Sequence, residues 1–151
     1  MPSEITIREA HKGDLSILVK NNQALAEETE ALQIDADVLR EGIEQALKRE
    51  ECHYFVAEIA GKVVGQTMIT YEWSDWRNGI IWWIQSVYVH PDYRKQGVFR
   101  TLFGHIENLA KTHPQVKALR LYVMNNNNAG QGTYQSLGMK DSGYIVFEKE
   151  D

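Results

Sequence analysis

Residues 85–104 read Gln85-Ser-Val-Tyr-Val-His-Pro-Asp-Tyr-Arg94-Lys-Gln-Gly97-Val-Phe-Arg-Thr-Leu-Phe-Gly104. The run 80–89 that leads into this stretch is apolar on both faces, with Ile81, Trp83, Val87 and Val89 on one and Ile80, Trp82 and Ile84 on the other. That pattern belongs to a central strand covered by helices on both sides. The strand stops at His90-Pro91-Asp92, and a basic segment passes through Gly97 into a helix at about 97–111, with Val98, Leu102, Ile106 and Leu109 as its inner stripe. The first amides of a helix lack intrahelical partners, and its dipole favours negative charge there. Arg94, Lys95 and Arg100 add cationic arms, so the junction reads as an anion site. On charge and glycine alone, a solvated basic turn is the competing reading.

Working outward, Ile5 and Ile7 alternate with polar residues in a short first strand. Helices follow at 14–28, with Asp14 as N-cap, and at 36–48, capped by Asp35 or Asp37. Strands at 54–59 and 63–73 flank the tight turn Ala60-Gly61-Lys62. Asn78-Gly79 then predicts a type I′ hairpin into the 80–89 strand. Beyond the central helix come a strand at 117–124, a short helix from Asn127 or Asn128 to about Leu137 with Gly138 as its αL terminator, and a last strand at 144–148. The order β-α-α-β-β-β-α-β-α-β predicts an α/β fold: a mixed, mostly antiparallel central sheet with helices on both faces. No linker or repeat divides the chain, so one domain over 1–151 is expected.

Composition narrows the function classes. Sixteen Lys and Arg against twenty-one Asp and Glu give −5, which argues against a nucleic-acid binder. Cys52 is the only cysteine, so neither an internal disulfide nor a cysteine-zinc spacing is available; it is read as an inert thiol. The five histidines show no ligand spacing, and no metal is assigned. No apolar run is long enough for a membrane span and the N-terminal residues lack a signal core, so a cytoplasmic protein is expected. No Gly-Lys-Ser/Thr forms a P-loop, and Gly130-Gln131-Gly132 fails as a dinucleotide fingerprint because Gln135 fills the third glycine position.

Residues 87–98 resemble the acetyl-CoA-binding segment of the GCN5-related N-acetyltransferase (GNAT) superfamily, whose signature is Arg/Gln-x-x-Gly-x-Gly/Ala. Arg94 and Gly97 match, and Phe99 stands where Gly or Ala is usual. A second signature, an Asn seven residues before a Tyr that is followed by Leu-Gly-Phe, is similar to Asn127 and the run Tyr134-Gln135-Ser136-Leu137-Gly138-Met139. The resemblance implies a GNAT-type fold and acetyl-CoA as donor. It assigns backbone groups of Val87, Tyr88 and Val89 to the pantetheine arm. The amides from Gln96 through Val98 and Phe99 to Thr101 take the pyrophosphate, with Arg94, Lys95 and Arg100 beside them. Asn127 would hydrogen-bond the pantetheine and Tyr134 would lie near the thioester sulfur. A phenol with a pKa near 10 can protonate a departing thiolate, which makes Tyr134 the candidate general acid. Phe99 is expected to turn into the core, in helical register with Leu102 and Phe103. Gly130 and Gly132, costly inside a helix, suggest that a cofactor or a neighbouring strand approaches closely.

Relatives resembling polyamine acetyltransferases carry a Glu base where Gln85 stands here, so Gln85 would orient a water, or the acceptor would bind already neutral. Glu28, Glu30, Glu72 and Asp75 are substitute carboxylates at the two places the family uses to wall its acceptor. They point to a small cationic amine, of polyamine or amino-acid type. A peptide amine or a non-enzymatic acyl-CoA-binding role are the alternatives. All four tryptophans lie within 73–83. Strict alternation puts Trp83 on the face of Gln85 and Val87, as an acceptor wall offering cation–π contact. The other tryptophans go to the core or to the surface of a homodimer.

Overall fold

A computed structural model describes residues 4–151. The elements run β1 (Ile5–Glu9), α1 (Leu15–Glu30), α2 (Ala36–Ala46), β2 (Cys52–Ile59), β3 (Lys62–Ser74), β4 (Gly79–Val89), α3 (Val98–Lys111), β5 (Val116–Leu121) and α4 (Asn128–Ser136). The strands form one sheet in the order β1-β2-β3-β4-β5. The first four are antiparallel, and β5 joins β4 in parallel after the α3 crossover. The expected α/β fold with a mixed, mostly antiparallel sheet is therefore present.

Two apolar clusters sit on opposite faces of the sheet. One packs Leu102, Phe103 and Ile106 of α3 against Phe55, Ile69, Trp82 and Ile84. The other packs Leu15 and Leu18 of α1 and Ile43 of α2 against Tyr54 and Val56. Asp35 caps α2 by accepting the amides of Asp37 and Val38, and Asn127 caps α4 by accepting the amide of Gly130 at 2.9 Å.

Two local expectations are corrected. Asp14 does not cap α1 with its side chain. It accepts the His11 amide across the preceding turn and a bidentate pair from Arg8, at 2.8 and 2.9 Å. Asn78-Gly79 is not a two-residue type I′ turn. The β3–β4 loop spans residues 75–78, the pair Ser74–Gly79 closes it, and only Asn78 has positive φ. A Cβ on Gly79 would lie 2.5 Å from the Gln115 carbonyl, so close approach to the start of β5 explains this glycine. Positive φ at both loop positions occurs instead at Ala60-Gly61, where Ile59 pairs with Lys62.

The last expected strand, 144–148, does not form. Gly143 donates its amide to Asp141 Oδ1 and Tyr144 donates to Ser142 Oγ, a local turn that leads the chain off the sheet. Ile145 and Phe147 are 79% and 88% exposed.

The Arg8 pair holds the Asp14 carboxyl below the ordinary carboxylate range, and it also ties β1 to the entry of α1. A carboxyl depressed in the folded state contributes stability that is complete above its unfolded pKa and disappears as the pH falls through its native one. Asp14→Asn should therefore lower unfolding free energy by about 1–3 kcal/mol at neutral pH. The gap to the native chain should shrink below about pH 4, as read by urea melts.

Candidate active site

β4 carries one residue too many for its partner. Gln66 pairs with Tyr88 and Met68 with Gln85, so Thr67 alone faces Ser86 and Val87. Ser86 takes up the excess with φ of +53°, a β-bulge. Two buried side chains replace the missing ladder bonds: Thr67 Oγ1 donates to the Gln85 carbonyl at 2.9 Å, and Gln66 Nε2 donates to the Ser86 carbonyl at 3.0 Å.

The bulge overturns strict alternation. Trp82 and Ile84 belong to the α3 cluster, and beyond the extra residue so do Val87 and Val89. Trp83 and Gln85 therefore share the α1 face, and Val87 lies on the opposite one. On that face Gln85 Nε2 donates to Thr70 Oγ1, and Trp83 Nε1 donates to Glu72 Oε1 at 2.7 Å. Tyr122 stands 4.7 Å from Trp83 between ring centroids, and the Arg120 guanidinium lies 5.9 Å from the same ring. Trp82 is core, whereas Trp73 and Trp76 are exposed beside the hairpin loop.

Pairing between β4 and β5 ends at Ile84–Leu121, directly before the bulge. Beyond it, β4 keeps β3 on one edge, and among the described residues no strand lies along the other. The strands thus part at residue 85, leaving the edge of β4 from Gln85 to Val89 unpaired on that side.

The N-terminus of α3 follows. Gly97, with φ of +84°, precedes Val98 and supplies no side-chain cap to the first amides. Lys95 and Arg100 are exposed and make no ion pair among the described residues. Gln96 Nε2 donates to the Asp92 carbonyl. Arg94 behaves differently. Its Nε donates to the Val89 carbonyl at 2.9 Å, and its Nη2 reaches both Glu28 oxygens at 2.8 and 3.1 Å, with the guanidinium over Tyr88. It is a strut between the end of β4 and the last turn of α1, and Glu28 is its partner. Glu30, by contrast, is exposed at the end of α1.

On the other bank, Phe99 turns inward as expected, packing on Phe103 and edge-on against Tyr134 at 5.7 Å. Burial pushes the Tyr134 phenol up, so it stays protonated at neutral pH. Asn127 uses Oδ1 as the helix cap and keeps its Nδ2 as a donor. The close approach expected at Gly130 is Asn127 itself, 2.6 Å from where a Cβ would sit, while Gly132 faces open space. Neither glycine answers to a neighbouring strand. Sequence reasoning missed Gln66, Thr67, Thr70, Arg120 and Tyr122. The signal for the first two was a polar pair inside the apolar run Val63 to Ile69.

The sheet parts between β4 and β5 beside an uncapped helix N-terminus, a cleft suited to a ligand with an anionic end. The model of the acetyltransferase (GNAT) family matches residues 19–139. The chain belongs to this family and is an N-acetyltransferase. It is similar to the crystal structure of a possible acetyltransferase from Clostridium difficile 630, at 44% identity over 97% of each chain with a TM-score of 0.90. Thialysine N-epsilon-acetyltransferase of Bos taurus is 28% identical over 91% of this chain and 85% of that protein. The structure of AAC(6')-Iy with the bisubstrate analogue CoA-S-monomethyl-acetylneamine shares the fold at 18% identity, with 99% of each chain covered and a TM-score of 0.79. No described helix is long and apolar enough to cross a membrane, and no described cluster of His, Cys, Asp and Glu has the grouping of a metal site.

Thr67→Val should test what holds the bulge. It preserves shape but leaves the Gln85 carbonyl without its donor, which should cost about 1–3 kcal/mol. By calorimetry that is a fall of roughly 2–12 °C in melting temperature.

Proposed function

We propose that the chain moves the acetyl group of acetyl-CoA to the primary amine of a small, amino-acid-like molecule by direct attack on the thioester. The observation that carries this reading is the parting of β4 and β5 beside the uncapped N-terminus of α3. A donor with a diphosphate at one end and an amide-bearing arm at the other suits that arrangement. The amides from Gln96 to Thr101, with Lys95 and Arg100, would take the diphosphate. The free edge at Val87, Tyr88 and Val89, with Asn127 Nδ2, would take the arm. Arg94 would contribute by holding the end of β4 in place, since its guanidinium is engaged by Glu28.

Acetyl-CoA supplies the acetyl group as a thioester. Tyr134 Oη holds the proton for the departing sulfur, and its burial keeps that proton in place at neutral pH. An amide on the free edge of β4 is suited to polarise the acyl oxygen. The attacking nitrogen must shed a proton, and Gln85, bonded to Thr70, cannot accept one. Glu72 is the carboxylate on that face and would accept it, directly or through water.

Amino-acid character is supported by opposite charges on one wall: Glu72 and Arg120 both touch Trp83, so an ammonium and a carboxylate each have a partner. Because Arg120 already lies over the Trp83 ring, a second cation is poorly accommodated there. The relative's name, thialysine N-epsilon-acetyltransferase, points the same way.

Acetyl-CoA at a hundred times its dissociation constant should add about 2.7 kcal/mol of stability, a rise of roughly 5–10 °C in melting temperature. No rise would refute the donor. CoA release should be fastest with basic amino acids; faster release with polyamines or a lysine peptide would refute the acceptor class. Tyr134→Phe should lower kcat about 10²–10⁴-fold while the melting shift persists, and the native enzyme should lose activity to phenol ionisation only above pH 10, the ordinary phenol value. Glu72→Gln should cut kcat/KM for the acceptor by about 10²-fold.

A further inference from the structure

We propose that Phe99 is a positioning residue for Tyr134: its ring, set between the first turn of α3 and α4, fixes where the phenol stands. The inference rests on the reading of Tyr134 as the general acid.

The need for such a hold lies in α4. This helix has nine residues, buries none of them and contains Gly130 and Gly132. A helix that short is marginal by itself, and each internal glycine weakens it further. Its fixed points lie at its ends. Asn127 accepts the Gly130 amide at the start, and Leu137 and Met139, just past the end, pack against the α3 cluster. The Tyr134 carbonyl accepts the amides of Leu137 and Met139 at 3.1 and 3.0 Å. Those bonds anchor the Tyr134 backbone and leave its ring to be placed by what it touches. Among the described residues, the aromatic ring it meets is that of Phe99, with centroids 5.7 Å apart and planes at 76°. An edge-on pair of this kind suits the aromatic quadrupole, positive edge toward negative face.

Phe99 is itself held. It lies four residues before Phe103, on the same helix face, with the two rings 6.1 Å apart, and Phe103 is buried in the α3 cluster. The phenol is thereby tied through Phe99 to the core. The small residue of the family signature could not reach α4 from this position. The Phe99 side chain is apolar and turned inward, so it offers an anion nothing, although its backbone amide belongs to the turn proposed for the diphosphate. Burial is the cause of the upward push on the Tyr134 phenol, and the Phe99 ring is part of that cover. α4 carries no other titratable side chain, and Arg100, the charged neighbour on the first turn of α3, is exposed. Titration of the phenol therefore reports its apolar surroundings.

Ring-carbon magnetic resonance of labelled tyrosine, with the Tyr134 signal assigned by its absence from Tyr134→Phe, reads the phenol without turnover. In Phe99→Ala its titration should move down toward pH 10, the ordinary phenol value. In the same variant kcat should fall about 10–10²-fold, while KM for acetyl-CoA and the acetyl-CoA melting shift stay as in the native chain. Phe99→Leu, which keeps apolar bulk toward α4, should recover most of both losses. Placed on Tyr134→Phe, Phe99→Ala should cost no further kcat, because its effect passes through the phenol. If Phe99→Ala does not melt cooperatively, Phe99→Val, a smaller truncation, is read in the same way. A Tyr134 titration that is the same in the native chain and the truncated variant would overturn the proposal. So would a loss of kcat as large without the phenol as with it. Native kcat in Tyr134→Phe would instead refute the general-acid reading, whereas an unmoved titration refutes only the role of Phe99.

Discussion

Two hydrogen bonds, from Thr67 Oγ1 to the Gln85 carbonyl and from Gln66 Nε2 to the Ser86 carbonyl, hold the extra residue of β4 in place. The geometry of the site follows from them. An antiparallel ladder with matched residues would carry β4 alongside its neighbours without a change of face. One surplus residue increases the local twist and re-aims every side chain beyond it. Here the surplus falls just past the last β4–β5 pair, so the strands diverge where the free edge is needed. It also sends Val87 and Val89 toward α3 while Trp83 and Gln85 face α1. The side chains before and after the bulge are thereby sorted to opposite faces of one strand.

Polar side chains at the centre of a sheet are costly unless paired. Gln66 and Thr67 are both fully buried, and each donates to a carbonyl at the bulge, while Gln66 Oε1 is left without a partner. The exchange is local: the bulge presents acceptors, and the neighbouring strand supplies donors from its side chains. Thr70 extends the pattern one pair further by fixing Gln85. Three polar residues of β3 thus shape the backbone and side chains of β4, and none of them belongs to either family signature.

The sequence exposes what depends on local rules. The helix start at Gly97, the caps at Asp35 and Asn127, the two-face burial of residues 80–89 and the inward turn of Phe99 are all short-range consequences of residue type and spacing, and each is present. What it conceals depends on a partner far along the chain. The face of Trp83 is hidden because one extra residue has no signature within β4 itself; the clue is the polar pair on β3. The engagement of Arg94 with Glu28 joins residues sixty-six positions apart. The run 144–148 has a strand's composition without a strand's partner, and composition cannot say where a partner comes from. At Asn78-Gly79 a familiar dipeptide serves a different need, the close approach of Gln115.

The connectivity of the sheet also orders its assembly. β2, β3 and β4 are joined by hairpin loops, so their pairing closes short lengths of chain. The parallel β4–β5 pairing must enclose the whole of α3 before a single bond forms. Loop-closure entropy grows with the length enclosed, and non-local parallel pairing is intrinsically slow. The meander can therefore reach its native register, bulge included, before β5 arrives. The seam between β4 and β5 is then the joint between an early-folding part of the chain and a late one, and the cleft opens along it.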